Sequence, residues 1–346
     1  MRALVKEKKG HGNIEVKDCD IPDLKEDEVL IEVYYGGICG TDIHIWKDEF
    51  PYNPPVILGH EFSGVIVKKG SGVTNWEKGD RVVAEPHTRS CKNCEFCRTG
   101  NPQACSDKKA PGWGIDGGFA EYIKLPSRLL HGVPDGISLQ EAAIVEPAAI
   151  SAHSLYQRAD MKVGDFVVVL GPGPIGLILV QLAQIKGASR TMITGIEQDS
   201  ENRLPLAEEL GVDYAVNIDK IDPVKKVKSI SDKGADLVIE AAGVESTVNQ
   251  AFEMVKWSGS IGVVGLPGPE KLNVKWAEGA FKSVDLNFSF SSNYTDWEQI
   301  LKLLGEDKLD LYSLITGVYS LEEWEEAFNR VKKGKEVKAL FEIKQE

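Results

Sequence analysis

The chain contains no run of about 18 consecutive apolar residues, so it offers no candidate membrane span. It also lacks an apolar signal core, because Met1-Arg-Ala-Leu-Val-Lys-Glu-Lys-Lys-Gly10 turns charged at once. The expectation is a cytoplasmic protein with no membrane partner. Positive charge is short: 40 Lys and Arg stand against 53 Asp and Glu, for a net charge of −13. Nucleic acid is therefore not an expected partner, since phosphate binding takes a basic surface. Internal repeats and low-complexity tracts are absent. Cysteine is scarce as well, with 6 in 346 residues. Cys91, Cys94, Cys97 and Cys105 nevertheless crowd together, and in a reducing compartment such a cluster points to metal more than to disulfides.

What is present is ordinary for a soluble globular protein, at 27% charged and 42% hydrophobic residues. The length suits two domains, each with its own core. The most informative stretch runs from Phe166 to Ala183. Phe166-Val-Val-Val-Leu170 reads as a buried strand, and the apolar residues after Pro174 read as a helix. Between them, Gly171, Gly173 and Gly176 stand in G-x-G-x-x-G register, with Pro174 and Ile175 opening the helix. One glycine makes the turn, one admits a pyrophosphate to the backbone, and one lets helix and strand pack closely. The helix N-terminus then offers free N–H groups to the phosphates.

Residues 1 to about 150 read differently. Val29–Tyr35, Glu61–Lys68 and Gly79–Ala84 look like strands, punctuated by Gly, Pro and Asp, and helical periodicity is scarce. This is the pattern of an irregular β-domain. Within it, the C-x2-C-x2-C-x7-C spacing of the four cysteines can close a tetrahedron around Zn²⁺ with no open position. Two disulfides, free thiols or an iron–sulfur cluster remain alternatives on spacing alone. A second set is dispersed: Cys39 in Gly36-Gly-Ile-Cys-Gly-Thr41-Asp-Ile-His44, His60 and Glu61 after Gly59, and Glu146 before Pro147. One Cys, one His and one or two Glu can hold a zinc ion that keeps an exchangeable position, although isolated residues of these types are more often structural. Cys19 receives no role.

With both cysteine patterns and the glycine turn in this order, the whole chain resembles the zinc-dependent medium-chain dehydrogenases. Glu146 places the resemblance in the polyol (sorbitol-type) and threonine dehydrogenase branch, because simple alcohol dehydrogenases usually carry a cysteine there. The resemblance implies an α/β protein: a GroES-like irregular β catalytic domain (1–150 and 290–346) with a zinc lobe at about 88–108, and a Rossmann doubly wound parallel-sheet domain (151–289). It implies two zinc ions per chain. Cys39, His60, Glu61 and Glu146 would serve the catalytic one, Glu61 as a fixed or exchanging ligand and Glu146 directly or through water. Cys91, Cys94, Cys97 and Cys105 would hold the structural one. Thr41 would take the alcohol proton and His44 would pass it on. A homodimer or homotetramer is implied too.

Alternating elements continue through the second half: Thr191–Thr194, a helix at Leu204–Leu210, Val212–Asn217, Ala235–Glu240, a helix at Val248–Trp257 and a strand at Ser260–Leu266. They predict a parallel sheet whose strand ends, at Ala242 and at Val264, Gly265 and Leu266, line the cofactor crevice. Leu286–Tyr294 is expected to re-enter the catalytic domain, and Val337–Ile343 to be the closing strand. The acid that binds the ribose hydroxyls in NAD enzymes is missing, since Gly195 occupies its place. This favours NADP, with Arg203 the nearest basic side chain; the alternative is NAD with Glu197 shifted in. Trp46, Phe50, Trp113 and Phe290 are candidate pocket residues. The expected activity is hydride transfer between NAD(P) and a secondary alcohol of a polyol, sugar or sugar phosphate. The alternatives are a threonine or small-diol dehydrogenase and a catalytically silent nucleotide-binding relative.

Overall fold

The structure is a computed structural model that describes residues 1–87, 89–266 and 271–346. Residue 88, at the edge of the expected lobe, lies outside them. The chain begins with strands β1 (Arg2–Lys6), β2 (Ile14–Asp18), β3 (Glu28–Gly37), β4 (Val56–Ile57), β5 (Glu61–Lys69), β6 (Arg81–Ala84), β7 (Tyr122–Pro126) and β8 (Leu130–Gly132). Short helices α1 (Gly40–Trp46), α2 (Glu95–Arg98) and α3 (Leu139–Ala142) interrupt them. Next come α4 (Val145–Ala152), β9 (Phe166–Leu170), α5 (Pro174–Ile185), β10 (Arg190–Gly195), α6 (Arg203–Glu209), β11 (Tyr214–Asn217), α7 (Pro223–Ile230), β12 (Ala235–Glu240), α8 (Glu245–Met254), β13 (Val255–Val263), α9 (Trp276–Lys282) and β14 (Asp285–Phe288). The return comprises α10 (Tyr294–Gly305), β15 (Ile315–Tyr319), α11 (Trp324–Lys332) and β16 (Lys338–Glu342).

Two units result. The first takes Met1–Glu146, Ser292–Asp307 and Leu311–Glu346; the second takes Pro147–Ser291 and Lys308–Asp310. In the first, β2-β1-β4 form a small sheet, and β15-β16-β3-β5-β6-β8, with β7 paired to β3, form a larger one. The period-2 pattern of β3 explains its place: Val29, Ile31 and Val33 point to one face and join Phe62, Ile66, Val82, Ile123 and Leu125 in a core. This is the GroES-like architecture expected of the β-rich half.

The second unit holds a six-stranded parallel sheet in the order β11-β10-β9-β12-β13-β14. That is the doubly wound Rossmann order, with the chain reversing direction across the sheet between β9 and β12. All five residues of β9 are buried, as a strand covered on both faces requires.

Several boundaries move. The helix expected to end at Trp257 is α8, which ends at Met254, and β13 already begins at Val255. At Gly259 of this strand a Cβ would meet Val255 Cγ2 at 2.7 Å and the Asp236 carbonyl of the neighbouring strand at 3.0 Å, so the missing side chain lets the two strands approach closely. The strand also stops at Val263 rather than Leu266. Asp285–Phe288 does not re-enter the first unit; it pairs with β13 as the sixth parallel strand. Helix α7 was not expected from its lysine-rich sequence. It forms because Asp222 accepts the Val224 and Lys225 N–H groups, with Pro223 at the first position. No helix among the described residues is long and apolar enough to cross a membrane.

Candidate active site and metal centre

Cys39, His60 and Glu61 come together in the first unit: their donor atoms all lie within 4.8 Å of one another. The strands explain how. Cys39 follows the end of β3 and caps α1, while His60 and Glu61 sit at the start of β5. Gly37 on β3 pairs directly with Glu61. A Cβ on Gly37 would stand 2.3 Å from Glu61 Oε2, so the missing side chain makes room for the carboxylate.

Around this trio lie groups that the sequence did not single out. Asp42 is fully buried and accepts the Cys39 N–H at 2.8 Å, and its other oxygen stands 3.8 Å from His60 Nδ1. Asp42 Oδ1 and His60 Nδ1 are buried without a hydrogen-bond partner. Lys338 of β16, 3% exposed, pairs with Glu61 Oε2 and donates to the Ile38 carbonyl at 3.0 Å. The third position of α1, three residues after a capping cysteine, was a usable signal for Asp42. Nothing local marks Lys338.

The electrostatics are those of a cation site. Burial opposes a charged His60, but Cys39, Asp42 and Glu146 hold its pKa well above the ordinary imidazole value. Burial pushes Glu146 up to about 7, with His60 opposing and Glu61 reinforcing the rise. Burial likewise raises Asp42. Lys108, just past the cysteine lobe, is pulled down to about 8 by desolvation, while the Glu146 charge opposes that shift. A thiolate, an imidazole and carboxylates packed this closely make a donor set that fits zinc. Glu146 is buried at the first turn of α4 and acts on His60 by charge; it is not one of the three close donors.

Thr41 Oγ1 stands 3.7 Å from Cys39 Sγ. One helical turn on, His44 is half-buried, its Nδ1 3.1 Å from Glu49 Oε2. Both therefore lie on α1, which the capping cysteine anchors.

The four lobe cysteines also form one cluster, all as free thiols. Cys91 and Cys97 sulfurs are 3.9 Å apart, close to the ~3.8 Å edge of a ZnS₄ tetrahedron with bonds of about 2.3 Å. Backbone N–H groups point at the sulfurs: Cys94 to Cys91 at 3.2 Å, Cys97 to Cys94 at 3.5 Å and Cys91 to Cys105 at 3.4 Å. N–H groups of Asn93 and Cys94 pull Cys91 down to about 7. The set fits a structural zinc.

Not all proposed pocket residues behave as such. Trp46 is core, 7% exposed and packed edge-on against Trp324 and Phe328. Phe50 and Trp113 pack on each other at 5.8 Å beside that core. Phe290 is exposed.

In the second unit, every expected cofactor residue follows or ends a parallel strand, or lies in the first turn of the helix after one, Arg203 opening α6 after β10. Gly171 follows β9 with φ of 108°. Gly173 caps α5, and a Cβ there would meet nothing within 4 Å, which leaves its backbone open to a ligand. A Cβ on Gly176 would stand 1.9 Å from the Gly171 carbonyl, so this glycine holds α5 tight against the turn. Pro174 and Ile175 are the first residues of α5. Glu240, fully buried, binds Ala242 N–H at 2.9 Å, Gly243 N–H at 2.8 Å and Thr247 Oγ1 at 2.6 Å. A Cβ on Gly265 would collide with the same carboxylate, so Glu240 shapes both the Ala242 loop and the stretch Val264-Gly265-Leu266. Glu240 was another residue missed in the sequence. At Gly195 a Cβ would meet Pro172 at 2.8 Å and Asp199 at 3.0 Å, so an acid there would have to displace these side chains. Arg203 pairs with Asp199 at 3.2 Å, and Glu197 accepts from Asn217 at 2.6 Å and pairs with Lys220.

Comparison with known proteins agrees with this geometry. Residues 25–135 match the alcohol dehydrogenase GroES-like domain and residues 174–306 match the zinc-binding dehydrogenase domain. The chain is 37% identical over 341 residues to a sorbitol dehydrogenase of Halalkalibacterium halodurans, covering 98% of each. It is 36% identical to a D-arabitol-phosphate dehydrogenase of Enterococcus avium, covering 99% of this chain and 97% of the relative. Among solved structures, a zinc-binding dehydrogenase of Sinorhizobium meliloti bound to NADP superposes with a TM-score of 0.91 at 32% identity, covering 99% of each chain.

Proposed function

Because the chain belongs to the zinc-binding medium-chain dehydrogenases, in their polyol dehydrogenase branch, we propose that it oxidises a secondary alcohol of a polyol, sugar or sugar phosphate with NAD(P). The observation that carries this is the close Cys39–His60–Glu61 donor trio, with His60 and Glu61 buried, in a chain that also carries the complete glycine turn. When bound, zinc supplies a Lewis acid that lowers the pKa of a hydroxyl, and NAD(P) supplies the hydride acceptor.

The chain's own groups do the rest. Cys39 and His60 hold the metal, with Glu61 and Glu146 as the carboxylates of the site. Asp42 turns toward His60 Nδ1 and leaves the other ring nitrogen to bind metal, as outer-shell carboxylates do. The Thr41 hydroxyl receives the alcohol proton and the half-buried His44, further along α1, delivers it to solvent. The Gly171–Gly176 turn and the N-terminus of α5 bind the pyrophosphate. The Ala242 loop and Val264–Leu266 shape the crevice. The four-cysteine lobe holds the second zinc. Units 1 and 2 thus serve as catalytic and cofactor domains respectively. Gly195 and Arg203 support NADP. Glu197, exposed past the end of β10, supports NAD as the second reading.

The edge strand β14 supports a homodimer or homotetramer. It ends the sheet order, and Phe281, Phe288 and Phe290 around it are exposed by 77, 66 and 63%. The cytoplasm suits four lobe thiols that must stay reduced to bind metal. The test is initial rates on sorbitol, arabitol phosphate, galactitol phosphate, threonine and butanediol with NAD and NADP. Turnover of a polyol or its phosphate is expected. Turnover of threonine alone would transfer the assignment to the amino-alcohol branch, and inactivity on every alcohol would sink it.

A further inference from the structure

Glu240 ends strand β12 and is fully buried in the second unit. It ties together the two segments expected to line the cofactor crevice. Its backbone carbonyl accepts the Val264 N–H at 2.9 Å and the Gly265 N–H at 3.0 Å. Its Oε1 accepts the Ala242 and Gly243 N–H groups and the Thr247 hydroxyl. Oε2 is buried without a hydrogen-bond partner, and it occupies the place a side chain on Gly265 would need. Among the described residues no cation pairs with this carboxylate. Hydrogen bonding alone does not call for a charge here, because a glutamine carbonyl can accept the same three donors. A carboxylate is costlier to bury when nothing positive offsets it.

Sheet order indicates what could. Gly195 and Arg203 belong to the β10 end of the sheet, the glycine turn follows β9, and β12 and β13 continue the order on the far side of β9. A Cβ on Gly171 would meet the Ala242 Cβ at 3.1 Å, so the turn adjoins the Ala242 loop. A dinucleotide crosses such a sheet with its pyrophosphate at the turn and one half on each side. With the adenosine half toward β10, the nicotinamide half falls to the strand ends that Glu240 joins. The oxidised nicotinamide ring is positively charged and the reduced ring is neutral. We propose that Glu240 is a specificity-determining residue for the cofactor's oxidation state: its buried negative charge favours the oxidised dinucleotide over the reduced one. The proposal rests on the reading of Gly171–Gly176 as the dinucleotide turn.

The test titrates the zinc-loaded protein calorimetrically with NAD(P)+, with NAD(P)H and with ADP-ribose, which lacks the nicotinamide. In Glu240→Gln, affinity for NAD(P)+ should fall about tenfold, the order of effect of a unit charge across roughly 10 Å at an effective dielectric constant of about 20. Affinities for NAD(P)H and ADP-ribose should stay unchanged. Thr247→Val removes one donor to Oε1 and keeps the charge, so the ratio of NAD(P)+ to NAD(P)H affinity should hold at the wild-type value. An unmoved ratio in folded Glu240→Gln would overturn the proposal, whether both affinities persist or fall together. So would an ADP-ribose loss equal to the NAD(P)+ loss, or a ratio that moves as far in Thr247→Val. If Glu240→Gln does not fold, Glu240→Asp decides. It keeps the charge on a shorter stem, so both affinities should drop while their ratio holds, and a ratio moved tenfold would overturn the proposal. Wild-type protein that binds none of the three ligands would instead overturn the reading of the glycine turn, a distinguishable failure.

Discussion

Gly176→Ala is the sharpest probe of the cofactor turn. The new Cβ would stand 1.9 Å from the Gly171 carbonyl oxygen, a backbone atom in a turn already at positive φ. Reaching even a 3.0 Å contact needs a displacement of about 1.1 Å between the start of α5 and the turn, and misplacement on the order of 1 Å can cost about 100-fold. We expect NAD(P)H affinity, read by fluorescence titration, and kcat/KM to fall together by about 100-fold, equivalent to about 2.7 kcal/mol. Overpacking should also destabilise the unit by about 1–3 kcal/mol, lowering Tm by several degrees. Gly173→Ala is the internal control. Its Cβ meets nothing within 4 Å of the protein, so Tm should stay unchanged while the cofactor, which must approach that backbone, binds more weakly. Zinc content should be unaltered in both. Wild-type cofactor affinity in Gly176→Ala, with the fold intact, would refute the assignment of the turn. An equal loss of Tm in both variants would refute the division of labour between the two glycines.

Asp42→Ala removes the acceptor of the Cys39 N–H and the carboxylate facing His60. Affinity at the Cys39 site, measured by chelator competition, should fall about 10–100-fold with the lobe metal retained; unchanged affinity would remove Asp42 from the site. Cys94→Ser should lower the zinc content from two ions per chain to one and cost thermal stability more than turnover per folded chain. Normal Tm with one zinc lost would count against a structural role for the lobe.

Much of this molecule is legible in short-range spacing. Gly171, Gly173 and Gly176 could be assigned from sequence because their roles depend on neighbours within one strand–turn–helix. Cys91, Cys94, Cys97 and Cys105 were legible for the same reason: knuckle spacing alone aims N–H groups at sulfurs. Period-2 alternation in β3 and the unbroken apolar run of β9 placed both sheets. The misses have a common origin. Trp46 looked like a pocket residue because tryptophan on an irregular segment has no local cue for burial; Trp324 and Phe328, from the other end of the chain, enclose it. The stretch opening at Leu286 read as a re-entry into the first unit, and only pairing with β13 shows that it is a sixth parallel strand.

By itself, the sequence determined the donor inventory, the glycine geometry and the two-unit plan, all of which follow from residue type and from separations of a few positions. Only the tertiary structure decided which of the carboxylates stand together. It brought Glu61 beside Cys39 and His60, left Glu146 acting by charge, turned Asp42 toward His60, and brought Lys338 to Glu61. The reason is register. The alignment of β16 on β3 and of β3 on β5 fixes which side chains meet, and it is set by burying whole sheet faces at once, which no local segment encodes.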